Sequence, residues 1–397
     1  MKVLIVSNYL YPETGAAPNR ITQMAEELSK HHQVTVSTAF PNYPTGKVFP
    51  GYTSGLFKKE NIKGFNVRRY RTYNSISKNP IKRVISMLSF GVMMFFDIPH
   101  LYKEKYDFII VQNSPLLVSC FAIFYAKIFT SSKIVLNVSD LWPLSALELG
   151  AIKKGLFYSL LEKIELLNYR NACLILGQSN EILNHVQHKV GDKQNFLYRN
   201  IPILNIREEK SIHKHTPVKI VYAGLLGVAQ GILDICKAID FKKLGVEFHI
   251  YGKGNELKEI QDYISISDKC IHYKGSLSSD EIRIALMKYD YSLVPLKSRI
   301  YGAVPSKIFE LTLLNVPIIF CGGGEGAEIV DKEKLGFVSE PGDFKKLSEN
   351  IEVAANLSDQ EYKELLNNCE EAGRTKFDFS RQIQNLVLLL ETMHNSK

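Results

Sequence analysis

A short run in the last third of the chain, Val304 to Glu310, combines residue types that could bind a phosphorylated ligand. Pro305 followed by Ser306 predicts a helix start with Ser306 as its N-terminal cap. The first N–H groups of such a helix and the Lys307 ammonium would attract a diphosphate. Glu310 follows about one turn later, and its carboxylate can accept from two vicinal hydroxyls, as a ribose offers. An ordinary capped helix with a surface ion pair is the alternative.

A glycine-rich turn from Tyr222 to Gly231 follows a predicted strand and opens a predicted helix. Gly224 would let a ligand approach the backbone closely, and the helix start would offer N–H groups to phosphate oxygens. The spacing is neither the G-x-G-x-x-G dinucleotide fingerprint nor a Walker A phosphate loop. A tight strand-to-helix turn remains the alternative. Gly15, in the small-residue loop after the first strand, is predicted to allow the same close approach, with a plain connection equally compatible.

Asp140 comes just after a predicted strand in the first half of the chain, and the only tryptophan, Trp142, follows it. A carboxylate at the end of a parallel strand would face a bound ligand. We therefore consider Asp140 a candidate for contact with a sugar or for proton transfer, with Trp142 as an acceptor contact. A turn-forming aspartate that caps the next segment explains the same pattern.

A basic segment precedes an apolar one between residues 63 and 96. The apolar part is too short to span a bilayer, but it suits a helix lying in a membrane interface beside cations that bind anionic lipid. A buried helix with a solvated basic flank is the alternative, and no recognised module supports nucleic-acid binding. The candidate membrane- or acceptor-binding cations are Arg68, Arg69, Lys82 and Arg83.

The bulk composition is that of a globular protein. The 397 residues include 49 Lys+Arg and 41 Asp+Glu, and the formal charge of +8 favours anionic partners. The six cysteines are spread out, without a C-x-x-C pair or a nearby histidine cluster, so neither a disulfide framework nor a zinc site is indicated. We see neither a signal peptide nor an apolar run of about 20 residues, and we expect a soluble or peripheral protein.

Strands and helices alternate along the chain in two successive sets of similar size. The first set begins with the apolar strand Val3 to Val6, and the second begins with Lys219 to Tyr222. A polar stretch from Arg199 to Thr216 separates them and is predicted to be a linker. Parallel strands joined by helices imply doubly wound sheets. The sequence therefore predicts an α/β protein of two Rossmann-like domains facing a cleft, with ligands at the carboxyl ends of the strands.

Taken together, these motifs resemble the GT-B glycosyltransferases of family 4. The most similar members are capsule and O-antigen enzymes that transfer N-acetylfucosamine-type sugars to lipid-linked acceptors. The resemblance covers nearly the whole chain. Its most specific parts are Phe40 to Gly46, Ser139 to Pro143, Ala229 to Gly231, and Pro305 to Lys307 with Glu310.

The resemblance implies an acceptor-binding domain over residues 1–200, to which a last helix at about 380–397 returns, and a nucleotide-sugar-binding domain over 201–379. Glu310 matches the second, ribose-binding glutamate of the family's E-x7-E pair, whereas the first falls at Gly302. The family's phosphate-binding lysine is replaced by Gln230. The phosphate charge must therefore be met by other cations, of which Lys307 is the best placed, with Arg199 and Lys253 as further candidates.

The resemblance implies that the protein transfers a sugar from a UDP-sugar with retention at the anomeric carbon. The expected sugar is an N-acetylated deoxyhexosamine. The expected acceptor is a saccharide on an undecaprenyl diphosphate-type lipid, at the inner face of the cell membrane in the cytoplasm. Lys307 and the helix at Ser306 would stabilise the leaving diphosphate, Asp140 would orient the substrate, and no metal or other cofactor is expected. A UDP-sugar epimerase and a non-catalytic scaffold subunit in polysaccharide assembly are the alternatives.

Overall fold

The computed structural model describes residues 1–396 except 44, 75–79, 205–209, 211 and 212, and it does not describe the side chains of residues 80, 81, 83 and 84. The chain divides into two compact units. Unit 1 contains Met1–Asn200 and Ser380–Lys397, and unit 2 contains Ile201–Phe379.

Unit 1 is built on an eight-stranded sheet with the order β3-β4-β2-β1-β5-β6-β7-β8. Its strands are β1 (Lys2–Val6), β2 (Gln33–Ala39), β3 (Phe57–Ile62), β4 (Phe65–Tyr70), β5 (Phe108–Gln112), β6 (Lys133–Val138), β7 (Leu174–Gly177) and β8 (Asn195–Leu197). Its first seven helices are α1 (Ala16–Ser29), α2 (Pro80–Phe95), α3 (Ile98–Glu104), α4 (Leu116–Phe129), α5 (Leu144–Glu148), α6 (Leu156–Asn171) and α7 (Asn180–Val190).

The centre of this sheet is parallel and buried. β1 pairs with β2 on one side and with β5 on the other, so that Leu4 lies between Thr35 and Ile109. Val3 to Val6 are almost completely buried, as expected for a parallel strand with helices on both faces. Among the described strands of unit 1, only β3 runs antiparallel, at one edge, where it pairs with β4.

Unit 2 contains a six-stranded, fully parallel sheet with the order β11-β10-β9-β12-β13-β14. Its strands are β9 (Val218–Leu225), β10 (Val246–Lys253), β11 (Ile271–Tyr273), β12 (Tyr291–Pro295), β13 (Ile318–Cys321) and β14 (Gly336–Ser339). Its helices are α8 (Ile232–Ala238), α9 (Leu257–Ile266), α10 (Ser279–Leu286), α11 (Ser306–Leu313), α12 (Glu325–Lys332), α13 (Phe344–Asn356) and α14 (Asp359–Thr375).

Counted within unit 2, this strand order is 3-2-1-4-5-6, the order of the Rossmann fold. The prediction of an α/β protein with two Rossmann-like sheets is therefore confirmed. The last helix, α15 (Phe379–Asn395), lies in unit 1 from Ser380 onward. There the Gln382 side chain accepts from the backbone N–H of Arg199 at 2.9 Å and donates to the Arg199 carbonyl at 3.1 Å.

The prediction that Arg68 and Arg69 contact a membrane or an acceptor is wrong. Both lie on β4, one strand of a hairpin that the charged sequence of this segment concealed. Arg69 is fully buried and donates to the Glu60 carboxylate. Arg68 is mostly buried and donates from Nε to both carboxylate oxygens of Asp97, at 3.1 Å each. Both cations are thus neutralised inside unit 1, since burying an unpaired charge would be costly.

We expect replacement of Arg69 by alanine to lower the free energy of unfolding by about 3 kcal/mol, because the substitution removes the buried cation paired with Glu60. Among the described residues, the Glu60 carboxylate then keeps only the Tyr52 hydroxyl at 3.3 Å and the partly exposed Lys58 at 3.8 Å. The carbonyl groups of Ala39 and Tyr11 lose a donor as well. Urea unfolding followed by circular dichroism measures the effect. Arg71→Ala removes an exposed arginine two residues away and should leave the midpoint unchanged. Equal midpoints for the two variants would contradict this account of Arg69.

Candidate functional site

A cavity of about 320 Å³ opens at the carboxyl ends of β9, β10 and β11 in unit 2. This is the edge of a doubly wound sheet at which ligands bind, and the volume is at the lower end of the range for small-molecule sites. The lining residues are Ala223, Gly224, Tyr251, Gly252, Lys253, Ser276, Leu277, Ser279, Ile282 and Lys307. The cavity therefore brings together three of the predicted ligand-binding residues, Gly224, Lys253 and Lys307.

Glycines shape the floor of this cavity where β9 and β10 end side by side. A Cβ on Gly252 would lie 1.9 Å from the Gly224 carbonyl oxygen, and one on Gly254 would lie 2.0 Å from that of Leu226. Neither distance is possible, so only glycine allows the two strand ends to approach. Gly252 also has a φ of 150°. The backbone of these strand ends thus remains open to a ligand.

Glu310 lies on α11 beside the cavity and accepts hydrogen bonds from two cations. Lys307 Nζ donates to Oε2 at 2.7 Å, and Arg283 Nε donates to Oε1 at 3.0 Å. Burial alone would raise the pKa of Glu310, but Lys307 and Arg283 together hold it below its usual value. The ionised carboxylate therefore stabilises unit 2 at neutral pH, and this contribution is lost as the pH falls through the lowered pKa.

Helix α11 begins at Ser306, and its N-cap residue is Pro305, which makes no side-chain cap. The prediction of Ser306 as the cap is therefore wrong. Pro305 has extended backbone angles, with φ −61° and ψ 122°, and the helical conformation starts one residue later. Because proline has no side-chain oxygen, the first-turn N–H groups are not capped by it and can serve an anion.

Gln230 lies in the turn before α8, where its backbone N–H donates to the Gly227 carbonyl at 3.1 Å. Its side-chain oxygen is buried and lacks a hydrogen-bond partner among the described residues. Gln230 does not line the cavity, so a ligand contact for it stays a prediction.

Three further predicted residues lie in unit 1. Gly15 is the N-cap residue of α1 and has a φ of 136°. Trp142 is half-buried in the loop between β6 and α5. Arg199 follows β8 and is held by α15, as described above. These positions are compatible with ligand contact but do not test it.

Asp140 follows β6 in unit 1 and is half-buried. Burial raises the pKa of this carboxyl, although hydrogen bonds from the Ser145 hydroxyl and the Leu141 N–H oppose the shift. A raised pKa in the folded state means that folding disfavours the ionised form. The corresponding stability is present at low pH and is lost as the pH rises through the folded-state pKa. At neutral pH, the ionised Asp140 carboxylate therefore lowers the free energy of unfolding.

We expect Asp140→Asn to raise the melting temperature at pH 7.5, because the amide carries no charge to desolvate and its oxygen still accepts from Ser145 and Leu141. The gain should shrink as the pH is lowered towards the raised pKa of Asp140, because the native carboxyl then becomes protonated. Sugar transfer should fall about tenfold or more if the carboxylate orients the substrate. Thermal melts across this pH range and a transfer assay check both parts. Lower stability of the variant at pH 7.5 would disprove the first part.

The apolar end of the basic-apolar segment forms α2, which α3 follows, whereas Arg68 and Arg69 at its basic start lie on β4. Lys82 is exposed on α2, and the side chain of Arg83 lies outside the described residues. Phe90 and Met94 are buried, while Phe95 and Phe96 are exposed. Within the described part of the chain, no helix alone has the length and apolar composition to cross a membrane, although the bent pair Ile85–Phe95 and Ile98–Glu104 passes that test together.

The sequence interpretation missed Arg283 and the residues around it. Arg283 lies on α10, close to Glu310 only because two helices far apart in sequence meet at one strand end. The sequence does contain a signal for the part of the cavity wall that precedes α10. Ser278 and Glu281 form a capping box at the start of α10, and the S-x-x-E spacing is visible in the sequence. It would have marked Ser276 and Leu277 as the loop before a helix.

Two Rossmann-type sheets, one in each unit, with a cavity at the strand ends of the second, define an α/β architecture of the GT-B class. Residues 217–356 match the family model described as Glycosyl transferases group 1. Over 275 residues, or 64% of this chain, the sequence is 24% identical to WcaI of Escherichia coli (strain K12), named as a colanic acid biosynthesis glycosyl transferase. That match spans 66% of the length of WcaI.

Solved structures agree with this class over the whole chain. Sucrose-phosphate synthase from Thermosynechococcus elongatus superposes with a TM-score of 0.72 at 13% identity and covers 100% of both chains. Anabaena HepE, solved in complex with UDP, gives a TM-score of 0.70 at 14% identity over 99% of this chain and 100% of its own. The family-model match in unit 2 and the similarity to WcaI support a glycosyltransferase enzyme, and the solved structures show the GT-B fold, as predicted.

Proposed function

We propose that the protein transfers a sugar from a UDP-sugar to a lipid-linked saccharide in the synthesis of a capsule or O-antigen polysaccharide, with retention at the anomeric carbon. The cavity in unit 2, with Lys307 in its wall and Glu310 beside it, is the observation that carries this proposal. A relative named for colanic acid biosynthesis and a structural neighbour with bound UDP support the class of polymer and of donor.

The donor would bind along the strand ends of unit 2. Glu310 would accept hydrogen bonds from the two ribose hydroxyls, while Lys307 and the first turn of α11 would contact the diphosphate. Lys253, exposed at the end of β10, adds a second positive charge. As the glycosidic bond breaks, charge develops on the leaving phosphate, and these donors are already in place to stabilise it.

The proposed membrane-facing surface is a layer of three helices in unit 1. Helix α4 packs against both α2 and α6, and each of the three exposes large apolar side chains. These are Ile85, Val92 and Phe95 on α2, Phe124 and Ile128 on α4, and Leu156, Phe157 and Leu160 on α6. Exposed lysines accompany them at positions 82, 127, 153 and 154. Apolar side chains next to cations suit an interface with anionic lipid at the cytoplasmic face of the cell membrane.

A thermal-shift screen against UDP, GDP, ADP and their sugars tests the donor. A ligand at a hundredfold excess over its Kd stabilises the protein by about 2.7 kcal/mol. The melting temperature should then rise by a few degrees, with UDP compounds only. Release of UDP from a UDP-sugar should then require a lipid-linked saccharide. Conversion of the sugar nucleotide without UDP release would indicate an epimerase, and binding without turnover would indicate a scaffold.

Flotation with lipid vesicles tests the membrane surface. We expect the protein to float with vesicles containing phosphatidylglycerol and not with pure phosphatidylcholine, and the double variant Phe95→Ser, Phe96→Ser to lose most of this binding. Leu388→Ser removes an exposed apolar side chain of similar size from α15 and should float like the parent. Equal flotation of the double variant and the parent would rule out α2 as the membrane contact.

A further inference from the structure

Two histidines and a glutamate converge on one face of the unit 2 sheet, near its β11 edge. His249 on β10 and His272 on β11 are register partners on neighbouring parallel strands. Glu247 precedes His249 by two residues on β10, so its side chain points to the same face. One ligand atom from each residue lies within 4.8 Å of the other two. The sequence does not show this cluster, because only the pairing of β10 with β11 brings His272 to the other two residues.

The geometry within the cluster is that of a partly assembled coordination shell. His249 Nε2 lies 3.1 Å from Oε2 of Glu247, and the two imidazole rings are 5.1 Å apart and nearly perpendicular. Ligand atoms around a tetrahedral zinc ion, with bonds of about 2.0–2.1 Å, are separated by roughly 3.4 Å. The Glu247–His249 pair is already close to that separation. His272 is exposed, so a rotation of its side chain brings in the third ligand.

A tyrosine orients the buried histidine. Nδ1 of His249 lies 2.9 Å from the Tyr289 hydroxyl, and His249 is only 7% exposed. This contact holds the ring so that Nε2 faces Glu247 and His272. Metal-binding histidines are usually held in this way through their second nitrogen. The exposed side of His272 provides the entry path that a metal site needs.

We propose that Glu247, His249 and His272 form a binding site for a divalent transition-metal ion of the zinc class. Two imidazoles and one carboxylate suit zinc, nickel or copper far better than magnesium or calcium, which prefer oxygen ligands alone. The remaining positions would hold water. The Lys274 ammonium acts electrostatically on His249, and its positive charge should weaken the binding of a cation at this site. Tyr289 also contacts the hydroxyl of Tyr251 at 3.1 Å, and Tyr251 lines the nucleotide cavity.

Isothermal titration of the full chain, prepared without a histidine tag, tests the proposal with zinc, nickel and magnesium chlorides. We expect one zinc or nickel ion per chain and no heat from magnesium. His272→Ala and Glu247→Gln should each weaken binding by about tenfold or more. Both side chains are at least partly exposed, so both variants should fold. His188→Ala, an exposed histidine on α7, serves as the matched control and should bind like the parent.

Cobalt absorption separates this site from the free cysteines. Cobalt bound by imidazole and carboxylate lacks the intense sulfur-to-metal charge-transfer bands of thiolate ligation. The proposal is overturned if the parent binds neither zinc nor nickel, if His272→Ala binds as tightly as the parent, or if the cobalt spectrum shows thiolate bands. None of these measurements depends on sugar transfer, so the result stands apart from that of the proposed function.

Discussion

Replacing Glu310 with alanine is expected to lower the affinity for both uridine and UDP by at least about a hundredfold. A hydrogen bond to a charged group contributes about 1.5–3 kcal/mol, and Glu310 is proposed to accept two from the ribose. The loss should be similar for the nucleoside and for the nucleotide, because the ribose is common to both. Isothermal titration with each ligand measures it, and a steady-state assay should show a matching fall in kcat/KM.

Two further variants sharpen this test. Glu310→Gln keeps the shape and one acceptor oxygen, so its loss should be smaller. Glu259→Ala removes an exposed glutamate from α9 in the same unit and should bind both ligands like the parent. Circular dichroism establishes that each variant folds, since Glu310→Ala leaves Lys307 and Arg283 without their shared carboxylate. If the folded Glu310→Ala variant kept its affinity for uridine, the ribose role would have to be abandoned.

Replacing Lys307 with methionine should reduce kcat/KM by about a hundredfold to a thousandfold, the range observed when a donor to a developing negative charge is removed. Methionine retains a similar length and apolar stem, so the cavity wall should keep its shape. The affinity for UDP should fall much more than the affinity for uridine, because only UDP carries the diphosphate charge that Lys307 is proposed to neutralise. Titration with the two ligands and steady-state kinetics measure the two effects.

This pattern differs from that of Glu310→Ala, which affects both ligands equally. Lys258→Met, at an exposed lysine on α9, controls for the loss of one positive charge from unit 2. A Lys307→Met variant that lost uridine and UDP affinity to the same extent would show that Lys307 acts only by holding Glu310 in place. In that variant, Arg283 would be the cation that still donates a hydrogen bond to Glu310.

Several parts of the fold were visible in the sequence because they depend on neighbouring residues. The apolar run Val3 to Val6 lies in β1, as predicted, and the apolar residues from Leu116 to Phe129 form a 14-residue helix. Buried parallel strands and apolar helices are encoded by contiguous residues, so their periodicity suffices. The hairpin of β3 and β4 was missed because its edge strand alternates exposed and half-buried positions and carries charges.

The sequence alone thus determined the class of fold, the alternation of strands and helices, and the run from Pro305 to Glu310, whose members lie within two helical turns of one another. Only the tertiary structure decided what each charged group faces. It buried Arg69 against Glu60, brought Arg283 to Glu310, and placed His272 beside His249. The physical reason is that strand pairing and helix packing join residues far apart in the chain, and the burial and partners of a charge depend on those contacts.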